Sequence, residues 1–233
     1  MPQMRNNCNQ LDHVICQVRF NAHLSINRDI DLFQVKINSD YPNYSPESIT
    51  SPGVINPTGV GHTFSSEDGK WMVSLSTSAM SLTTSAYENW DDFVTKFMFV
   101  FNSLIDVFGI ESFTRVGLRY VNAIRPEILN MPADSKSILK GPVSEMFSDS
   151  TGSFVAGTCI IDRNQGDEIL SRSAVGTIVF TDDQPGFAID NDVFTTKSIA
   201  VPGVSEMINR FNEVANALFK EFASDEVCRK VGL

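Results

Sequence analysis

Two long segments of the chain repeat apolar residues at helical spacing. In the first, Asn89 can cap a helix, Asp91 and Asp92 suit its first turn, and Gly109 can end it. Its apolar stripe consists of Phe93, Phe97, Phe101, Leu104, Ile105 and Phe108. The second segment, residues 204–223, places Ile208, Phe211, Ala215, Leu218 and Phe222 on one face. Each predicted helix must bury its stripe against another layer of structure.

Segments with period-two alternation supply that layer. Strands are predicted at residues 13–22, 33–37, 71–76, 81–84, 114–124, 154–162, 174–180 and 187–190. The combination predicts an α+β fold, in which an antiparallel sheet of roughly eight strands carries the two long amphipathic helices on one face. Residues 1–233 are interpreted as a single domain.

A weak internal repeat suggests a pseudo-duplicated unit of strands and a helix. The stretch Gln17-Val-Arg-Phe is similar to Gly117-Leu-Arg-Tyr, and an Asn-Ala pair follows each of them. The repeat predicts two similar halves, residues 11–110 and 113–233, with coincidence as the alternative.

Residues 40–69 are rich in Pro, Ser, Asn and Gly, with prolines at Pro42, Pro46, Pro52 and Pro57. This composition predicts a long surface loop. Loops of such length are uncommon unless they are functional or mobile. We therefore expect a lid or a partner contact in this segment.

The composition favours some partners over others. A formal net charge of −10 opposes binding to nucleic acid and favours a basic protein partner. The sequence shows neither an apolar run of membrane-spanning length nor an export signal, and its four cysteines are scattered. We expect a soluble cytoplasmic protein with reduced thiols and no membrane contact. Homodimerisation through a sheet edge or the long loop is compatible with the sequence.

Three arginines are predicted to share the sheet face opposite the helices. In segment 114–124, Arg115, Gly117 and Arg119 point away from Val116, Leu118 and Tyr120, and Arg19 takes the matching place on the first strand. Glycine within a strand often marks close approach of another group. Guanidinium groups bind carboxylates and phosphates. One hypothesis is therefore an anion-binding surface formed by Arg19, Arg115 and Arg119. The alternative is that they pair with acidic side chains of neighbouring strands, such as Asp162 and Asp190.

The usual sets of catalytic and metal-binding residues are not recognisable in the sequence. The three histidines, His13, His23 and His62, have no metal-ligand spacing, and neither a nucleophile motif nor a phosphate-binding loop is evident. We therefore expect no metal, no cofactor and no catalytic residues. Asp190 and Asp192 could act as an acid–base pair, but carboxylates at a strand end are usually solvated or capping groups.

The stretch Thr114-Arg-Val-Gly-Leu-Arg-Tyr-Val-Asn122 resembles the T-R-x-G-L-R-Y-x-N motif of a sporadically distributed bacterial family of uncharacterised proteins of roughly this length. Further similar stretches are Val18–Phe20, Asp68–Trp71, the Tyr-x-x-Trp-x-x-Phe run of Tyr87–Phe93, and Ile189–Phe194. The chain departs from the family at Asn9-Gln-Leu-Asp12, where a proline and an acidic residue are usual. The resemblance implies no established activity. Its patchy distribution implies mobile genes, such as those of antiphage defence, antitoxins or immunity proteins.

Three functions remain open at this point. The first is a non-enzymatic binding protein, such as an accessory, antitoxin or immunity component of a bacterial defence or conflict system. The second is a sensor of a small anionic metabolite or nucleotide, bound on the arginine face or between the sheet and the helices. The third is an enzyme of unfamiliar type, in which arginine and aspartate groups would converge in a cleft.

Overall fold

The computed structural model of the protein describes residues 11–49, 59–148 and 156–233. Its strands are β1 (Leu11–Arg19), β2 (Asn43–Ile49), β3 (Gly59–Ser65), β4 (Trp71–Ser76), β5 (Ala79–Thr84), β6 (Ser112–Phe113), β7 (Arg115–Ile124), β8 (Thr158–Gly166), β9 (Ile169–Val179), β10 (Pro185–Thr195) and β11 (Ile199–Ala200). Its helices are α1 (Ser25–Arg28), α2 (Ile30–Ile37), α3 (Trp90–Phe108), α4 (Ser135–Ile138), α5 (Pro142–Met146), α6 (Val204–Phe222) and α7 (Asp225–Val231).

Within these ranges, nine strands form an antiparallel sheet in the order β2-β3-β4-β5-β1-β7-β10-β9-β8. The strands β6 and β11 form a separate antiparallel pair. The α+β class and the large antiparallel sheet are thereby confirmed. The placement of two long helices on one face and the pseudo-duplication stay predictions.

The chain divides into two compact units. Within the described residues, unit I consists of residues 119–193 and 211–233 with Leu11 and Asp12, and unit II consists of residues 13–118 and 194–210. The predicted single domain and the predicted halves, 11–110 and 113–233, stay predictions.

The core of unit II is rich in phenylalanine. On α3, the buried side chains include Phe93, Phe97, Phe101, Leu104 and Phe108, as the helical stripe predicts. Phe101 and Phe113 have ring centroids 5.2 Å apart, and Phe33 and Phe64 have ring centroids 5.7 Å apart. Aromatic pairs at these distances stabilise the fold beyond the burial of their area.

The ends of α3 follow the predicted capping signals. The Asn89 side chain accepts a hydrogen bond from the backbone N–H of Asp92 at 2.9 Å. Gly109 has a left-handed conformation, with φ of +66°, and its N–H donates to the Ile105 carbonyl oxygen. An asparagine cap and a glycine stop thus fix the length of the helix.

Unit I combines a long hairpin with the second half of α6. β8 and β9 pair from Thr158↔Gly176 to Gly166↔Ile169, so both strands extend beyond the predicted ranges 154–162 and 174–180 toward their shared turn. On α6, Phe211, Ala215, Leu218 and Phe222 are buried as expected.

Two predicted elements were wrong. Residues 33–37 lie in helix α2, not in a strand; Phe33 and Ile37 are buried, whereas Val35 is 77% exposed. Residues 40–69 are not one long loop, because they contain β2 and β3, paired from Asn43↔Ser65 to Ile49↔Gly59. Pro52 and Pro57 lie outside the described residues.

Candidate functional site

Arg119, on β7, is held by Asp190 of β10. Its Nε donates to Asp190 Oδ1 at 2.8 Å, and its Nη2 donates to Asp190 Oδ2 at 2.5 Å. The hydrogen bond to this carboxylate raises the pKa of the Arg119 guanidinium. An anion could take the Nε–Nη2 fork of Arg119 only by displacing Asp190.

A second pair of the same kind lies on the neighbouring strands. Asp162 of β8 stands opposite Arg172 of β9 in the strand register. Arg172 donates to both carboxylate oxygens of Asp162, from Nε at 2.7 Å and from Nη2 at 2.8 Å. These hydrogen bonds lower the pKa of Asp162.

Asp192 completes what we call the arginine–aspartate row. The row consists of Arg119, Asp190, Asp192, Arg172 and Asp162, on the adjacent strands β7, β10, β9 and β8 of unit I. After the hydrogen-bonded partners Asp190 and Asp162, the charge of Asp192 is a further cause of the raised pKa values of Arg119 and Arg172. The row therefore holds three carboxylates and two guanidinium groups.

Arg115 covers the glycine that lies two residues after it. Its guanidinium carbon is 4.6 Å from the centroid of the Phe194 ring. A Cβ atom added at Gly117 would lie 2.7 Å from Arg115 Nη1. The shallow spot predicted at Gly117 is therefore filled by the side chain of Arg115.

Arg19 is exposed at the end of β1, where its Nε donates to Gln17 Oε1 at 2.8 Å. Arg19 and Arg115 belong to unit II, whereas Arg119 belongs to unit I. The described contacts give each of the three arginines a separate partner. An anion surface formed by them stays a prediction.

The alternative hypothesis was that the arginines form structural ion pairs with Asp190 and Asp162. Both aspartates accept hydrogen bonds from arginines. Only Asp190 binds one of the three predicted arginines. The partner of Asp162 is Arg172, which the sequence did not single out because the order of strands was unknown. Of Asp190 and Asp192, considered as an acid–base pair, Asp190 accepts two hydrogen bonds from Arg119, and the charge of Asp192 acts on Arg119 and Arg172.

A shallow cleft in unit I is lined by Arg125, Pro126, Glu127, Ala133, Gln184 and Pro185, with a volume of about 50 Å³. Arg125 donates to Asp182 at 2.7 Å, and its guanidinium carbon lies 3.7 Å from the centroid of the Phe180 ring. Pockets for small molecules typically measure about 300–1,000 Å³. This cleft is well below that size.

His62 lies on β3 and is only 5% exposed. Its Nδ1 is 3.1 Å from the Tyr44 hydroxyl, and its Nε2 has no hydrogen-bond partner in the described part of the chain. Burial lowers the pKa of His62. In those same segments, no group of three or more His, Cys, Asp or Glu side chains is arranged to hold a metal ion.

Cys16 and Cys228 are buried free thiols, and Cys159 is a partly exposed one. Cys8 lies outside the described residues. Among the helices of residues 11–49, 59–148 and 156–233, none is long and apolar enough to cross a membrane.

No model of a known protein family matches the chain. A comparison with curated proteins gives no significant match. The resemblance carried by residues 114–122 therefore stays a prediction.

Proposed function

We propose that this chain is a non-enzymatic binding protein whose partner is a basic protein. The arginine–aspartate row carries the proposal, because aspartates already neutralise both of its arginines. Asp190 holds Arg119 and Asp162 holds Arg172, each through two hydrogen bonds, and the charge of Asp192 acts on both arginines. Arginines that carboxylates already hold are poor receptors for a small anion, so the row supports a cationic protein partner better than a small anionic ligand.

The charge of the whole chain supports the same partner. A net charge of −10 raises the rate at which a basic protein is encountered. A cytoplasmic accessory, antitoxin or immunity role in a bacterial defence or conflict system is the setting that the resemblance implies, and we include it in the proposal.

Native mass spectrometry of the protein purified from its own cells tests the proposal, with a second spectrum after denaturation. We expect a retained basic protein that dissociates when the salt concentration is raised. A retained small anion would instead favour the sensor of an anionic metabolite or nucleotide. A chain with no retained molecule would exclude a tight constitutive complex.

Substitution within the row tests the face itself. Asp192→Asn removes one carboxylate and should slow association with the retained partner, because electrostatic complementarity acts mainly on the association rate. The matched control is Glu226→Gln on α7, which removes one exposed carboxylate of the same unit, 3.8 Å from Lys230. If stopped-flow measurements give equal association rates for the two variants, the partner protein does not bind at the arginine–aspartate row.

A further inference from the structure

Both tryptophans of the chain lie in one aromatic cluster of unit II. Trp71 on β4, Tyr87 before α3 and Trp90 at the start of α3 surround the buried ring of Phe93. Their ring centroids lie 5.9 Å, 6.0 Å and 5.9 Å from that of Phe93, respectively. Phe93 is 1% exposed, whereas the three surrounding side chains are partly exposed. We call Trp71, Tyr87 and Trp90 the aromatic patch.

Hydrogen bonding and stacking fix the patch in place. Trp90 Nε1 donates to Asn209 Oδ1 at 2.7 Å, and Asn209 Nδ2 donates to the Ser205 carbonyl oxygen at 2.9 Å. The Trp90 ring is stacked on Phe93, with an angle of 24° between the ring planes. A surface that is already ordered loses little conformational entropy when a partner binds.

One face of the patch already contacts a cation. Lys96 Nζ lies 5.0 Å from the centroid of the Trp71 ring. The same ammonium group forms an ion pair with Asp92, one turn earlier on α3. The Trp71 ring is thus accessible to a positive charge and attracts it.

The segments that carry the patch are acidic. Close to Trp90 in the sequence are the carboxylates Glu88, Asp91 and Asp92 and the cation Lys96, and close to its partner Asn209 on α6 are Glu206 and Arg210. Tryptophan and tyrosine are enriched where proteins meet, and carboxylates beside them attract cationic side chains. Arginine fits both features, since its planar guanidinium stacks on aromatic rings and donates to carboxylates.

We infer that the aromatic patch is the surface on which an arginine-bearing segment of the partner protein docks. The inference rests on the proposed function, because it places the basic partner on a defined surface. It adds a site in unit II that is distinct from the arginine–aspartate row of unit I.

Binding of a fluorescein-labelled hexaarginine peptide, followed by anisotropy at low salt, tests the inference. A matched hexacitrulline peptide keeps the side-chain shape and lacks the charge. We expect saturable binding of hexaarginine alone. Trp71→Leu and Trp90→Leu leave the net charge unchanged and should each weaken that binding about threefold to tenfold, because each removes one cation-binding ring.

A lysine pair provides a test that leaves the rings intact. Lys96→Met removes the cation that covers Trp71, so hexaarginine should bind more tightly than to the wild type. The matched control is Lys36→Met on α2, which changes the net charge equally. Lys36 binds Asp106 at 2.9 Å, and Asp106 lies about 20 Å from Asp92 along α3. The control should tighten binding by less than Lys96→Met does.

The outcomes separate the two proposals. If hexaarginine binds the wild type and both tryptophan variants equally, or if Lys96→Met and Lys36→Met behave alike, the aromatic patch is not the docking surface and the basic partner stands. Equal binding of hexacitrulline overturns the role of positive charge at the patch. If the wild type does not bind hexaarginine, the inference fails, and the native mass spectrum still decides whether a basic protein is the partner. Circular dichroism of each variant confirms that the fold is retained.

Discussion

At the scale of single residues, the turn between β8 and β9 is under backbone strain. Asp167 and Glu168 have φ angles of +48° and +64°, between the paired residues Gly166 and Ile169. Two consecutive positive φ angles are typical of a type I′ hairpin turn, whose second central position prefers glycine. Aspartate tolerates this conformation better than glutamate does, so the strain is greatest at Glu168.

We therefore expect Glu168→Gly to be more stable than Glu168→Ala by about 1 kcal/mol. The two variants lose the same carboxylate, so their difference reports the backbone conformation alone. Urea denaturation at neutral pH measures it. Equal free energies of unfolding would contradict the strained conformation of Glu168.

Two buried glycines face neighbours of different stiffness. A Cβ at Gly186 would lie 2.6 Å from the Ile124 carbonyl oxygen and 2.4 Å from the Phe180 ring. The three atoms nearest to a Cβ at Gly117 all belong to the far end of the flexible Arg115 side chain. The backbone contact at Gly186 cannot be relieved by rotation of a side chain.

Gly186→Ala should therefore lower the free energy of unfolding by about 1–3 kcal/mol, which is typical of overpacking. Gly117→Ala is the matched comparison and should cost less, since Arg115 can move away. Thermal and urea unfolding of the two variants measure the difference. A greater loss for Gly117→Ala would contradict this ranking.

At the scale of elements, the sequence predicted those segments whose local signals agree. Asn89, Gly109 and the phenylalanine stripe define α3. The 33–37 segment failed because Phe33, Val35 and Ile37 alternate as a strand would. The burial of Phe33 and Ile37, four residues apart, shows the helical period, and it depends on tertiary contacts.

The strand β2 was missed because of its proline. Pro46 lies opposite His62, and β2 is at one end of the sheet order. An edge strand tolerates proline, because its outward N–H groups need no partner in the sheet. Composition alone therefore made a strand resemble a loop.

The candidate sites depend on neighbours that are distant in the sequence. Arg119 and Asp190 were both singled out, but their pairing requires β7 to lie beside β10. The aromatic patch went unrecognised although Trp71 and the Tyr87–Phe93 run were both noted. Their contact requires β4 to pack against the start of α3, which no local pattern indicates.

The β2–β3 hairpin should respond to pH through His62. Its folded pKa is lowered by burial, so the unfolded chain binds the proton more readily. The stability that neutral His62 contributes is fully present above its unfolded pKa of about 6.5. It is lost as the pH falls through the lower pKa of the folded state.

We expect the wild type to lose stability from this residue as the pH falls below about 6.5. His62→Phe keeps a ring beside Tyr44 and has no imidazole to protonate, so it should not show this loss of stability. Urea denaturation between pH 7.5 and about pH 5 measures it, above the range in which most carboxylates titrate. An identical pH dependence in both proteins would place the titration elsewhere.

At the scale of the whole molecule, lysine and arginine side chains form ion pairs with carboxylates in several places. Further ion pairs join Arg163 to Glu221, Lys140 to Asp225 and Arg125 to Asp182. In each pair, the hydrogen bond from the cation lowers the pKa of the carboxyl group. Because these folded values lie below the unfolded ones, the pairs contribute stability above about pH 4 and lose it as the pH falls further.

Glu221 allows this acid sensitivity to be tested at one pair. Arg163 donates to both of its carboxylate oxygens, at 2.6 Å and 2.7 Å, and also lies 5.5 Å from the Phe222 ring centroid. Glu221→Gln removes the charge of the carboxylate and keeps Arg163 on Phe222. At neutral pH the variant should be less stable by under about 1 kcal/mol, because the pair is half exposed. The two proteins should converge in stability as the pH falls below the lowered pKa of the wild-type carboxyl, and a difference that persists in the fully protonated protein would show that Glu221 acts through packing and not through its charge.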